Sequence, residues 1–367
     1  MRIIRNSYYS YDIAIIGGGL SALVLAIDLF DSGFESVCIL ERETELGGNL
    51  RCSTAVLETN GGLPGFPDAP RRVRMCDYLE HLVNLACEKN IRCFLETHAH
   101  RISRNRIVLA SNPSNPLIRI RAKAVVVCTG AREISRGELG IPGFRPSGVM
   151  TAGAMQKLIF KKSLDLGKRS IIIGSNNLAF EIARMTMERG DEVVLMMESG
   201  DRCAYDGGWK ADSSLIRSET ALRDNLPCRL LLRTDCTQIL GVDHVEGVNY
   251  ETRSTSGEIT EGHAECDNVI ISCGFLPESL LAETSGLKQC GASCGIAVDE
   301  NYQTNAGGVF AVGDSIGIHD DAGELLEEVL RASKCIQKQL RERKLLALSR
   351  LRKASDAIAA RLFKKDL

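Results

Sequence analysis

The apolar positions between Tyr11 and Arg42 change period twice. Ile13 to Ile16 form a continuous apolar run of strand length, rich in isoleucine. After three glycines, Leu20, Leu23, Val24, Ile27 and Phe30 recur at helical spacing up to Gly33, and Val37 to Leu40 then make a second strand-like run that ends in Glu41. The pattern predicts a strand, a helix and a parallel strand. Further on, Leu63 to Pro70 is a loop dense in proline and glycine. A helix is expected from about Cys76 to Lys89, with Tyr78 or Leu79, Leu82, Val83 and Ala86 inward. From Ile91 to Ala122 apolar and polar residues alternate, with turn signals at Asn112 to Pro116, which suits a small antiparallel flap. Val125 to Glu133 is an apolar strand broken at Thr129 and Gly130. Its echo is Val269 to Glu278, where Cys273 and Gly274 stand in the same places.

The unit at Ser170 repeats the unit at Tyr11. The turn glycine, the helix-ending glycine and the strand-ending acid are Gly17, Gly33 and Glu41 in the first unit, and Gly174, Gly190 and Glu198 in the second. The offsets are 16 residues (33 − 17 and 190 − 174) and 24 residues (41 − 17 and 198 − 174) in both. Such a unit suits a dinucleotide. The first glycine permits the tight turn and the second lets backbone approach a pyrophosphate. The third position, here Ala22, packs the helix on the strand, the helix N-terminus faces the phosphates, and the acid accepts hydrogen bonds from a ribose. Two such units imply two dinucleotide sites.

Ile141 to Gly143 marks a crossing between them. Val309 to Ser315 returns to the first unit as a strand ending in Gly313 and Asp314, followed by a helix from about Ala322 to Arg341. The expected segments are 11–147 and 265–343 for the first domain, 148–264 for the second, and 344–367 for a basic amphipathic tail. That tail could lie on a membrane surface or a partner, although a helix packed on its own domain accounts for it equally well.

Composition narrows the classes. The chain has 367 residues, 44% hydrophobic and 25% charged, enough for about two domains of ~150 residues. A net charge of −2 gives no reason to expect nucleic acid. No segment reaches the ~18 apolar residues of a membrane span, and the first apolar run reads as a core strand, not a signal peptide, which places the protein in the cytoplasm. The 14 cysteines include no C-x-x-C, the usual zinc or dithiol signature. Cys290 and Cys294, the one close pair, read as reduced thiols.

With GGGLSA, Glu41, GGNL, TGA, the second glycine turn and VGD in this order, the chain resembles the pyridine nucleotide–disulfide oxidoreductase superfamily, and within it the thioredoxin-reductase-like branch. The resemblance implies an α/β fold of two Rossmann-like domains, each a parallel sheet with an antiparallel flap, in which an FAD domain is interrupted by an NAD(P)H domain. It puts Gly17, Gly19 and Glu41 on the adenosine half of FAD, Gly48 and Asn49 on the flavin side, Asp314 on the ribityl chain, and Gly174 and Glu198 on the nicotinamide nucleotide. Ala22, Arg42, Thr129, Gly130, Asn176, Ala179, Glu181, Gly274 and Gly313 complete the candidate cofactor-binding set; no catalytic residue and no metal ligand is assigned.

Two departures stand out. In GSNNLA, Asn176 occupies the place of the middle glycine, where its side chain would meet the pyrophosphate. In GVMTAGAMQ, Ala152 and Met155 stand at the places of the redox cysteines and Gln156 at the acid after them. This segment is closer to a subset without the dithiol: oxidoreductases associated with glycerol-3-phosphate dehydrogenases, and the FAD subunits of opine, sarcosine and hydrogen-cyanide-forming dehydrogenases. The implied activity is FAD-dependent NAD(P)H oxidation, NADH favoured over NADPH. Electrons would pass to a small molecule or a redox protein, including a dehydrogenase partner subunit. A ferredoxin–NAD(P) reductase-like enzyme and a non-catalytic FAD-binding subunit or sensor are the alternatives. Cys52 could be a redox cysteine and His319 an acid or base near the flavin, but an ordinary loop residue is favoured for each. Trp209 reads as packing over the second domain.

Overall fold

The computed structural model describes residues 6–59, 62–161, 167–204, 228–291 and 293–363; Trp209 falls outside them. Strand β1 (Asn6–Ile16) lies parallel to β2 (Val37–Leu40), with Ile13 opposite Val37 and Ile16 opposite Leu40. Between them runs α1 (Leu20–Asp31). It buries more than the expected stripe, adding Ala22, Leu25, Ala26 and Leu29, because α2 (Met75–Glu88) and the C-terminal helix cover the side turned away from the sheet. Each large side chain so buried contributes about 1.5–3 kcal/mol, which is why a helix apolar over most of its surface, with Ser21, Asp28 and Asp31 on the remaining face, is stable here.

The alternating stretch forms β3 (Arg92–Phe94), β4 (His98–Ile102), β5 (Ile107–Asn112) and β6 (Asn115–Val127). β3 extends the parallel sheet beyond β2, and β4, β5 and β6 form the antiparallel flap. The flap is continuous with the main sheet, since β6 also runs parallel to β1 from Leu117 to Val127.

The second domain is built on β7 (Val149–Thr151), α3 (Ala152–Phe160), β8 (Arg169–Ile173), α4 (Asn177–Glu188), β9 (Glu192–Glu198) and β10 (Arg229–Leu232). A three-stranded antiparallel sheet follows, from Thr234–Leu240, Gly247–Arg253 and Ile259–Glu265. β11 (Asn268–Ile271) then inserts between β7 and β8, completing a parallel sheet of order β7-β11-β8-β9-β10. The return to the first domain, expected at residue 265, therefore comes after this strand. A four-residue apolar run does not reveal which sheet it will enter.

β12 (Val309–Ala311) joins β6 at Val125–Val127, past the point where β5 ends. α5 (Ala322–Phe363) packs on the first domain as far as Leu340, and Ser333 and Gln337 both donate to Asp28 of α1. Just beyond that point Arg341 and Arg343 still donate to Ser32 O and Lys123 O of the first domain, and the next apolar side chains turn outward: Leu345 is 66% exposed, and Leu346 and Leu348 are exposed with it. No helix among the described residues is long and apolar enough to cross a membrane. The two crossings between domains, Ala131–Glu133 and Phe275–Pro277, pair with each other as an antiparallel ribbon.

Candidate cofactor and electron-transfer site

The first glycine turn is fixed by its neighbours. Gly17 has φ +106°, donates its N–H to Leu40 O at 2.8 Å, and a Cβ on it would lie 2.2 Å from Cys128 O. Only glycine fits there. Gly19 caps α1 with no side-chain acceptor, so no side chain competes for the N–H groups of the helix end, an arrangement that suits an anion. The GGN turn packs on it: Gly47 N–H donates to Gly18 O, and a Cβ on Gly48 would come within 3.1 Å of Gly19 Cα. Glu41, 6% exposed, holds this arrangement together, accepting from Gly18 N–H at 2.7 Å on one oxygen and Glu43 N–H at 2.8 Å on the other. A ribose would use the remaining lone pairs, so the acid expected to bind the ligand also shapes the turn.

The second turn copies the first. Gly174, φ +105°, donates to Met197 O at 2.7 Å, and a Cβ there would lie 2.0 Å from Ser272 O. Glu198 accepts from Gly200 N–H at 2.9 Å and from Ser175 Oγ, which stands where Gly18 stands in the first unit. The difference lies in the cap. Asn176 Oδ1 accepts from Ala179 N–H at 3.0 Å and from Ser272 Oγ at 2.7 Å. Its side chain is folded onto the helix end and takes an N–H that the first turn leaves to a ligand.

A cavity of about 630 Å³ runs between the domains, walled by Gly17, Gly19, Glu41, Arg42, Gly48, Asn49, Thr129, Gly130, Asn176, Glu181, Gly274 and Asp314 of the expected set. Ala22, Ala179 and Gly313 lie behind the wall, and Gly174 and Glu198 open on a second cavity of about 400 Å³. At the rim, Arg42 pairs with Glu278 at 3.9 Å, Asn49 Nδ2 donates to Ala131 O, and Thr129 Oγ1 donates to Glu278 O. Glu181 is committed to the other domain, accepting from Ser53 Oγ and from Thr54 N–H and Oγ1. Arg184 adds a bond to Thr54 Oγ1 at 2.6 Å. These two residues dock α4 on the first domain.

His319 does not behave as a solvated loop residue. Its Nδ1 lies 3.0 Å from Asp314 Oδ1 and its Nε2 3.0 Å from Glu328 Oε2, and these two carboxylates push its pKa up to about 10 despite partial burial. Glu328 was not foreseen. The available signal was a charged residue on the apolar stripe of α5, beside Leu325 and Val329. Around Cys52, Lys157, Lys161 and Arg51 favour the thiolate, but burial outweighs them and the thiol pKa is raised. Among the described residues Cys128 is the cysteine in the main cavity wall, and burial raises its pKa. Cys236 and Cys273, in the second cavity, are each pushed up to about 11, mainly by burial.

The sequence profile of the pyridine nucleotide-disulphide oxidoreductases matches residues 11–337. The chain belongs to this family. It is 26% identical over 330 residues to the benzene 1,2-dioxygenase system ferredoxin–NAD(+) reductase subunit of Pseudomonas putida, covering 88% of this chain and 72% of that one. It is 27% identical over 320 residues to an alkyl hydroperoxide reductase component of the same species, covering 84% of this chain and 54% of that one. The chain thus spans about half the length of that second relative. Thioredoxin reductase of T. acidophilum has a similar fold, with TM-score 0.70 and 20% identity, covering 90% of this chain and 98% of that one. The protein is a flavin-type pyridine-nucleotide oxidoreductase, and the family implies FAD and a pyridine nucleotide. The first turn fits such a group: Gly19 and Gly48 form a backbone cradle and the end of α1 is uncapped by any side chain.

Proposed function

We propose that this protein oxidises NADH and passes the electrons, through bound FAD, to an acceptor that is not a protein dithiol. The chemistry supplied by the bound groups is two-electron transfer from the nicotinamide ring to the flavin. The residues of the chain bind, orient and shield. Gly17, Gly19 and Glu41 would seat the adenosine half of FAD, Gly48 and Asn49 the flavin side, and Gly174 with Glu198 the nicotinamide nucleotide.

The observation that carries the acceptor reading is the second-domain wall of the main cavity. There α3 presents Gly153, Gln156 and Lys157, while Met155 is turned into the second-domain core. Gln156 is 3% exposed and its Nε2 has no hydrogen-bond partner among the described residues, a buried donor suited to an oxygen-bearing ligand. A ferredoxin-type acceptor is favoured among protein partners by the dioxygenase reductase relative. The cap formed by Asn176 supports the alternative of an FAD-binding protein whose second site has decayed.

The acceptor reading is tested with FAD-loaded wild type and Cys52→Ser, assayed for NADH-driven reduction of thioredoxin and of a ferredoxin or small acceptor. The expected result is acceptor reduction in both proteins and no thioredoxin turnover. Robust thioredoxin reduction, or complete loss of activity in the serine variant, would establish a thiol relay.

A further inference from the structure

The loop between β12 and α5 brings Asp314 and His319 together with Glu328 of α5, three charged groups that neither glycine turn explains. Gly313 has φ +73°, and a Cβ there would lie 2.5 Å from Ser21 Oγ, so the loop presses on the first turn of α1. Gly313 N–H donates to Glu328 Oε1 at 2.8 Å, and Glu328 is only 9% exposed. On its other oxygen Glu328 meets His319, whose ring reaches across to Asp314 in the cavity wall.

Geometry fixes the charge of this ring. Each ring nitrogen faces a carboxylate oxygen, and an ionised carboxylate can only accept, so both nitrogens donate and the ring is an imidazolium. A neutral imidazole would point a lone pair at one of the two acids. The same side chain also fixes which oxygen of Asp314 is used, because Oδ1 accepts from both Nδ1 and the His319 N–H, the latter at 3.2 Å. Oδ2 has no protein partner among the described residues.

We propose that His319 is a positioning residue for the flavin site: bridging Asp314 and Glu328 as a cation, it leaves Asp314 Oδ2 aimed for the cofactor and offsets one of two carboxylate charges beside it. This rests on reading the main cavity as the FAD site. With the bridge in place the cluster carries one net negative charge; without the imidazolium it carries two, beside a ligand that is itself anionic and gains electrons when reduced. Asp320 and Asp321 add no compensation, and Asp321 is occupied in capping α5 through Glu324 N–H. Burial of Glu328 makes its pairing consequential, since a buried carboxylate stripped of its partner is strongly disfavoured.

The test uses full-length wild type, His319→Gln and Glu328→Gln, stripped of flavin and titrated with FAD. Flavin fluorescence gives Kd, the midpoint potential is measured on the reloaded protein, and thermal melting of each apoprotein reports the fold. His319→Gln is expected to weaken FAD binding about tenfold or more, as loss of a charge-assisted hydrogen bond does, and to shift the potential to more negative values. Glu328→Gln removes the opposite charge and is expected to shift the potential to more positive values. Opposite signs cannot come from a loosened loop. Unchanged affinity and potential, or shifts of the same sign in both variants, would overturn the proposal and leave the bridge as a loop fastener. If His319→Gln does not fold, the sign of the shift in Glu328→Gln decides. Wild type that binds no FAD would instead overturn the assignment of the cavity itself.

Discussion

A valine at Gly19 is expected to give a folded protein that no longer retains FAD, whereas an alanine at Gly17 is expected to unfold it. The contrast follows from what each new side chain meets. At Gly19 the backbone is extended (φ −80°, ψ −169°) and a Cβ finds only Gly48 Cα, at 4.0 Å, so the chain tolerates it. Its methyl groups would occupy the space over the end of α1 where the pyrophosphate has to lie. Displacing that contact costs about 1–3 kcal/mol or more, and at the upper end that is roughly a hundredfold in Kd. At Gly17 the Cβ would sit 2.2 Å from Cys128 O with φ at +106°, so strain and overlap together are worth about 3–5 kcal/mol, a large part of a domain's stability. Flavin titration and thermal melting of the two apoproteins check both halves. A Gly19→Val protein with full flavin would remove the assignment of the first turn.

Reduction by NADH is expected to exceed reduction by NADPH by about a hundredfold in kcat/KM. Glu198 ends β9 with its two oxygens held by Gly200 and Ser175, leaving lone pairs for a ribose diol. A 2′-phosphate would meet that carboxylate with Asp235 also in the cavity wall, and among the described residues the wall holds no lysine or arginine. Arg202, which follows Glu198 closely in sequence, is exposed and pairs with Asp201 at 3.7 Å. Like charges about 4 Å apart repel by roughly 4 kcal/mol at an effective dielectric of 20, and water takes back part of that. Glu198→Gln should narrow the gap by relieving the NADPH reaction. Steady-state kinetics with both nucleotides decide the matter, and equal efficiencies would contradict this account of Glu198.

The two dinucleotide-type units were legible because their signals are local. A turn that must pass under a carbonyl oxygen demands glycine, and it does so at Gly17 against Cys128 and again at Gly174 against Ser272, 157 residues on (174 − 17). The helix lengths and terminal acids repeat for the same reason. What stayed hidden depends on pairings that spacing does not encode. β11 carries four buried residues that would suit either sheet. That Asn176 turns onto Ala179 and Ser272 was hidden because its χ angles are set by the folded turn. His319 and Glu328 meet across a loop-to-helix junction nine residues apart, too far for a helical rule and too near for a domain contact. Glu181 belongs to the candidate cofactor-binding set and lines the main cavity, and its bonds to the loop at Ser53 and Thr54 had no signal in the spacing.

The central claim is that electrons enter from NADH and leave through FAD, and anaerobic rapid mixing of the FAD-loaded protein with NADH tests it most directly. The account predicts that the visible absorbance of the flavin bleaches in a single phase at least as fast as steady-state turnover with the acceptor. A flavin that stays oxidised, or bleaches more slowly than the acceptor is reduced, would contradict it and mark the protein as an FAD-binding partner without catalysis of its own.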